Sequence, residues 1–77
     1  MLNEDEIIII KEIVSKFLRT NVADINDDTL IDSSVMQGSV LFHRMISRIN
    51  QIYSIEIDNY ANIKTLRDLI KSINSKI

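Results

Sequence analysis

The sequence predicts an all-α fold, a small bundle of three main helices and one short helix. Apolar residues recur at helical spacing in three separate segments. The chain has no proline and only one glycine, so no residue type interrupts long helices. Its 77 residues suffice for one domain, residues 1–77, and are too few for two. Because each helix is hydrophobic on one face, a bundle is the arrangement that buries all of these faces.

The first helix is predicted from about residue 4 to residue 19 or 20. Asn3 can cap it, and Glu6 stands three residues later, as in a capping box. Its apolar stripe consists of Ile7, Ile10, Ile13, Val14, Phe17 and Leu18. Ile8 and Ile9 widen this stripe, and we expect one of them to be exposed or to contact a partner.

Residues 21–38 lose the helical period and are rich in Asn, Asp and Ser, which predicts a long loop. Its apolar residues should hold the loop against the core: Val22, Ile25, Leu30, Ile31, Val35 and Met36. Asp24, Asn26 and Asp28 have the spacing that opens a calcium-binding loop. However, Thr29 stands in place of the turn glycine and Val35 in place of the bidentate glutamate. We therefore predict a solvated loop and no metal site.

The helical period returns at Ser39 and predicts a second helix over residues 39–53, with a stripe formed by Phe42, Met45, Ile46, Ile49, Ile52 and Tyr53. A strand-like or turn segment over 54–57 and a turn or single helical turn over 58–63 should follow. Thr65 and Asp68 form a capping box for the last helix, whose stripe is Leu66, Leu69, Ile70, Ile73 and Ile77. Phe17 and Ile49 lie in the middle of their stripes, so both are expected to be buried.

Composition argues against several classes of protein. The chain has no cysteine, which excludes disulfides and thiolate metal sites. The longest apolar run is four isoleucines, far short of the roughly 20 residues of a spanning helix, so a cytoplasmic protein without a membrane span is expected. Residues 1–38 hold 8 acids and 3 bases, whereas residues 39–77 hold 3 acids and 6 bases. Two arginines on one helix are too few for a nucleic-acid interface.

Ser39 and His43 stand four residues apart, the spacing at which a nucleophile and a base can share a helix face. No acid is placed to orient the imidazole, and so small a chain has little room for a substrate pocket beside its core. We therefore expect no catalytic residues and no enzyme activity.

The order of these segments resembles the acyl carrier proteins over nearly the whole chain. The resemblance rests on the first amphipathic helix, the loop ending in LIDS, a serine opening the second helix, the segment YSIEID and the capped final helix TLRDLIKSI. It implies a four-helix bundle of acyl-carrier type. In that family an Asp-Ser-Leu motif opens the second helix, and an aromatic residue before an x-x-Glu-Ile segment ends it.

This resemblance selects one serine among several. Counting back fourteen residues from Tyr53, at the family's aromatic position, gives Ser39, whereas Ser33 lies six residues too early. The triplet Gly38-Ser39-Val40 then departs from the family motif mainly in having glycine where the family has aspartate. A phosphodiester on Ser39 would lie at the positive end of the helix dipole. The alternative interpretation of Ser39 is an unmodified helix N-cap.

The resemblance implies that Ser39 carries 4′-phosphopantetheine, which a separate phosphopantetheinyl transferase takes from coenzyme A. The thiol of that arm would hold acyl or aminoacyl thioesters and present them to loading and processing enzymes of fatty-acid, polyketide or nonribosomal biosynthesis. The family usually presents acids on the second helix, where this chain has Leu41, Arg44 and Arg48. We expect these three residues to contact partners of a specialised pathway, or else the arginines to form a solvated face. A monomer is expected, and an unmodified helical interaction module of the same fold is the alternative.

Overall fold

The computed structural model describes residues 2–32, 35, 38–58 and 60–77, and describes Ser39 by its backbone alone. Three α-helices, α1 (Glu4–Leu18), α2 (Ser39–Tyr53) and α3 (Leu66–Lys76), are accompanied by single 3-10 turns at Val22–Asp24 and Tyr60–Asn62. Across these ranges the only β-type pairing is an isolated antiparallel bridge between Leu30 and Thr65. The predicted all-α class is confirmed. Where a short helix was expected, residues 58–63, the structure has the second 3-10 turn.

α1 begins where the capping pattern predicts. The side-chain oxygen Oδ1 of Asn3 accepts a hydrogen bond from the Glu6 N–H at 2.9 Å, which satisfies one of the unpaired donors of the first turn. The helix ends at Leu18, slightly earlier than predicted, because Arg19 adopts the left-handed conformation with φ 55° and its N–H donates to the Ser15 carbonyl. Glycine usually occupies such a position.

α3 begins with the predicted capping box. The Thr65 hydroxyl oxygen accepts from the Asp68 N–H at 3.3 Å, and Asp68 Oδ2 accepts from the N–H groups of Thr65 at 3.2 Å and Lys64 at 3.1 Å. These backbone hydrogen bonds favour the ionised carboxylate and lower the pKa of Asp68 below its ordinary value. The start of α3 is therefore fixed by both side-chain and backbone groups.

The core is formed by side chains from all three helices and from the connections between them. Its buried members are Leu2, Ile10, Ile13, Val14, Ile25, Ile31, Phe42, Met45, Ile46, Ile49, Ile57, Ile63, Leu66, Leu69 and Ile73. The predicted burial of Ile49 is confirmed, whereas Phe17 is only partly buried against the edge of this core. Ile52 and Ile77 were predicted in apolar stripes but are about half exposed, at 47% and 50%. Ile8 and Ile9 are both exposed, although one exposed isoleucine was expected.

The loop before α2 is fastened to the core and to the start of α3. Ile25 and Ile31 are buried, and the Ile31 N–H donates to the Lys64 carbonyl at 2.8 Å. Arg67 pairs with Asp28 at 2.8 Å. Of the other apolar residues expected to hold the loop, Val22, Leu30 and Val35 are exposed, and Met36 lies outside the described residues, as does Ser33.

No helix in the described part of the chain is long and apolar enough to cross a membrane.

The difference between Ile49 and Phe17 predicts unequal effects of truncation. Ile49→Ala should lower the free energy of unfolding by about 2–5 kcal/mol, because it removes fully buried methyl groups from α2. Phe17→Ala should cost clearly less, since the ring is partly in water already. Urea denaturation midpoints of the two variants measure the difference. Equal losses would mean that Phe17 belongs to the core and not to its edge.

Candidate functional site

Gly38, Ser39 and Val40 lie together at the start of α2, as the sequence predicts. Gly38 is the N-cap and Ser39 is the first helical residue, so the alternative interpretation of Ser39 as the N-cap is wrong. Gly38 has φ 91° and ψ 169°, a region that residues with an L side chain rarely adopt. A Cβ at this position would meet no atom within 4 Å, so the backbone conformation alone favours glycine here.

The N-terminus of α2 differs from those of the other two helices. α1 has Asn3 as a side-chain cap and three acids in its first turn, and α3 has the Thr65–Asp68 capping box. α2 has neither a side-chain cap hydrogen bond nor an acid in its first turn. Neither Gly38 nor the first turn of α2 therefore supplies negative charge to the N–H groups and the partial positive charge of this helix end.

The first three turns of α2 present apolar and cationic side chains at the surface. Val40 is 66% exposed, and Leu41 is partly buried against the core. Arg44 and Arg48 are exposed one turn apart and lie away from the buried stripe of α2, as expected. Leu41, Arg44 and Arg48, predicted from sequence as partner contacts, thus lie on one side of the same helix.

Two adjoining surface grooves follow this side of the molecule. The larger, of about 520 Å³, is lined by Phe17, Val40, His43, Arg44, Ser47, Arg48 and Gln51. The smaller, of about 370 Å³, is lined by Lys16, Phe17, Arg19, Leu41 and Arg48. Phe17 and Arg48 line both grooves, so the C-terminal end of α1 and the exposed face of α2 form one continuous surface.

Three residues of this surface, Lys16, Phe17 and Arg19, were not predicted from the sequence as site residues. The helical period placed Phe17 in the core, and Lys16 is a favourable cation at the end of any helix. The sequence feature that could have indicated them is the pair of cations, Lys16 and Arg19, on either side of Phe17 at the end of α1. Only the packing of α1 beside α2 shows that they share a surface with Arg48.

His43 makes aromatic contacts. Its ring centroid lies 4.9 Å from that of Tyr60 and 6.0 Å from that of Phe42. Its side chain is exposed and lines the larger groove, and among the described residues no hydrogen bond or ion pair joins it to a carboxylate. The same residues include no group of three or more potential metal-ligating side chains.

The chain was compared with protein-family models, with curated proteins and with solved structures, and none of the three comparisons finds a match.

The conformation of Gly38 predicts a chirality-dependent effect of substitution. Gly38→Ala should lower the free energy of unfolding by about 1–3 kcal/mol, because an L residue is strained at φ 91°. A chain synthesised with D-alanine at this position should be at least as stable as the natural one, since its φ and ψ mirror ordinary extended backbone. Denaturation midpoints compare the two chains. If both alanines have the same effect, the positive φ does not hold in solution.

The same conformation bears on the family motif. Aspartate at position 38 would restore the residue that acyl carrier proteins have before their serine, but an L-aspartate is strained at this φ. It could cap α2 only after the backbone moved to the extended region typical of N-caps. Gly38→Asp is therefore expected to alter the end of the loop as well as the motif.

Proposed function

We propose that this chain is an acyl carrier protein, a non-catalytic protein that displays acyl or aminoacyl thioesters on a 4′-phosphopantetheine arm attached to Ser39. We also propose that the helices form a bundle of acyl-carrier type. In this bundle the 3-10 turn at Tyr60–Asn62 takes the place of the short helix. It is supported by the order of elements in the sequence and by α2 spanning residues 39–53, the register on which the choice of serine depends.

The missing negative charge at the start of α2 is the observation that carries the proposal. The other two helices have side-chain caps and first-turn acids, and α2 has neither. A phosphodiester on the first helical residue would bring an anion to the N–H groups of this helix end, to which Gly38 and the first turn of α2 supply no negative charge. Such an interaction is typically worth about 0.3–1 kcal/mol at a surface. A modified serine at this position therefore supplies what the sequence of α2 lacks.

The surroundings of Ser39 fit a covalent arm. Gly38 has no side chain, and the space where its Cβ would lie is open. Val40 is exposed on the other side of the serine and lines the larger groove, which begins beside the attachment point. Gly38 and Val40 thus leave room for the arm at the start of α2.

Loading joins the Ser39 hydroxyl oxygen to the phosphorus that bears pantetheine in coenzyme A and releases adenosine 3′,5′-bisphosphate, while the transferase accepts the hydroxyl proton. The chain has no cysteine, so the thiol for thioester formation comes with the arm. Its own residues then hold the arm in place and present it to other proteins. Partners would be the transferase and acyl- or aminoacyl-loading and processing enzymes, in the cytoplasm, with the carrier acting as a monomer.

A second candidate is a helical interaction module of the same fold that is never modified. The surface formed by α1 and α2 favours it, because exposed cations around apolar side chains can bind a partner without any arm. The two candidates differ in one property, the covalent modification of Ser39.

Intact mass after co-expression with a broad-specificity phosphopantetheinyl transferase decides between them. The natural chain should gain the mass of one 4′-phosphopantetheine, and Ser39→Ala should gain nothing. Ser47→Ala is the matched control, since Ser47 is an exposed serine on the same helix, and it should load fully. Loading of the Ser39→Ala variant, or loss of loading in Ser33→Ala alone, would refute the assignment of Ser39. No mass gain in the natural chain would favour the unmodified module.

A further inference from the structure

Four cations surround the apolar centre of the two grooves. Lys16 and Arg19 come from the end of α1, and Arg44 and Arg48 come from α2. The apolar centre consists of Phe17, Val40 and Leu41, and neither groove is lined by an acid. These seven residues are called here the basic docking surface.

The cations of the basic docking surface differ from cations elsewhere on the molecule. Arg67 pairs with Asp28 at 2.8 Å, and Lys76 approaches Asp58 at 3.9 Å. In the part of the chain that the structure describes, the four groove cations have no ion pair, although the protein has more acids than bases. Their charge is thus directed outward and is available to a partner.

Arg19 joins the basic docking surface because of the way in which α1 ends. It holds the left-handed conformation at the end of α1, φ 55°, where glycine is usually favoured. The side chain at this strained position lines the smaller groove beside Phe17 and Leu41. Ser54 ends α2 in the same conformation, so this is an ordinary helix end, and at Arg19 it places a fourth cation on the basic docking surface.

We propose that the basic docking surface binds an acidic amphipathic helix of a partner protein, with apolar side chains against Phe17, Val40 and Leu41 and carboxylates against the four cations. Charge complementarity carries this choice, since four cations and no acid line the two grooves. The role of that partner, an enzyme acting on the arm at Ser39, rests on the proposed function. The binding itself needs no arm.

A protein helix fits this surface better than a polyanion or a lipid surface. A nucleic acid would meet eight acids in residues 1–38 of a chain with net charge −2, which oppose a long phosphate backbone. Phe17 and Leu41 are partly buried within grooves, where side chains of a helix can reach them. Val40 is the one residue of the apolar centre that projects strongly, at 66% exposure.

Fluorescence anisotropy with the unmodified full chain tests the proposal. The probe is a fluorescein-labelled synthetic helix with a leucine stripe flanked by glutamates, and its scrambled isomer is the reference. The natural chain should bind the amphipathic probe more tightly than the isomer, and affinity should fall as salt rises, because exposed charges are screened. Equal binding of both peptides, or no binding of either, overturns the proposal.

Matched variants locate the binding. Arg44→Gln with Arg48→Gln should raise Kd about fivefold, as expected for losing two exposed ion pairs. Lys64→Gln with Lys71→Gln removes the same charge from exposed positions outside the grooves and should change Kd less than twofold. An equal loss in the control pair would show that net charge alone attracts the peptide and would overturn the assignment.

Arg19→Gly separates docking from folding. It should keep or raise the denaturation midpoint, because glycine relieves the left-handed strain, and should still weaken binding of the peptide. Unchanged binding would overturn the extension of the surface onto α1. Binding of vesicles of phosphatidylglycerol and phosphatidylcholine that depends on the same arginines, without binding of the peptide, would assign the surface to a membrane and overturn the proposal.

The test is independent of the proposed function. Because it uses the unmodified chain, a peptide that fails to bind refutes this docking surface and leaves the loading of Ser39 intact. A chain that binds the peptide but gains no phosphopantetheine keeps the surface and refutes the carrier.

Discussion

Burial of the apolar face of α2 is the constraint on which the rest of this structure depends. Phe42, Met45, Ile46 and Ile49 are all buried, and with no disulfide the fold depends on such side chains. Since residues of a helix have fixed angular positions, burying these four leaves the opposite side of α2 in water. The exposure of Arg44 and Arg48 is therefore a consequence of core packing. Any function of α2 must use the side chains on this exposed side.

The N-termini of the three helices differ in the charge that their own residues supply. α1 and α3 are closed at their N-termini by side-chain caps and acids, which neutralise the positive helix end locally. α2 begins from Gly38, whose backbone conformation L residues rarely adopt and which has no side chain to cap the N–H groups of the helix. The basic docking surface adds cations farther along the same helix. One side of a net acidic protein is thereby positive, and this is the side on which the proposed arm and partner would meet.

Much of this arrangement could be predicted from the sequence because local signals determined it. The bounds of α2, the Asn3 cap and the capping box at Thr65 all follow from residue spacing. Periodicity identifies which residues share a face but not how far neighbouring elements cover that face, so Phe17 and Ile52 were expected to be more buried than they are. The conformation of Gly38 and the meeting of α1 with α2 were not predictable, because both arise from how the loop and helices pack.

The central claim is that the cap and first turn of α2 supply no negative charge to a helix end that suits a modified Ser39. The stability of the loaded chain tests this claim most directly. Urea denaturation of loaded and unmodified protein should show the loaded form more stable by about 0.3–1 kcal/mol at low salt, with the gain shrinking as salt rises. A loaded chain that is no more stable than the unmodified one, or whose gain is independent of salt, would contradict the account.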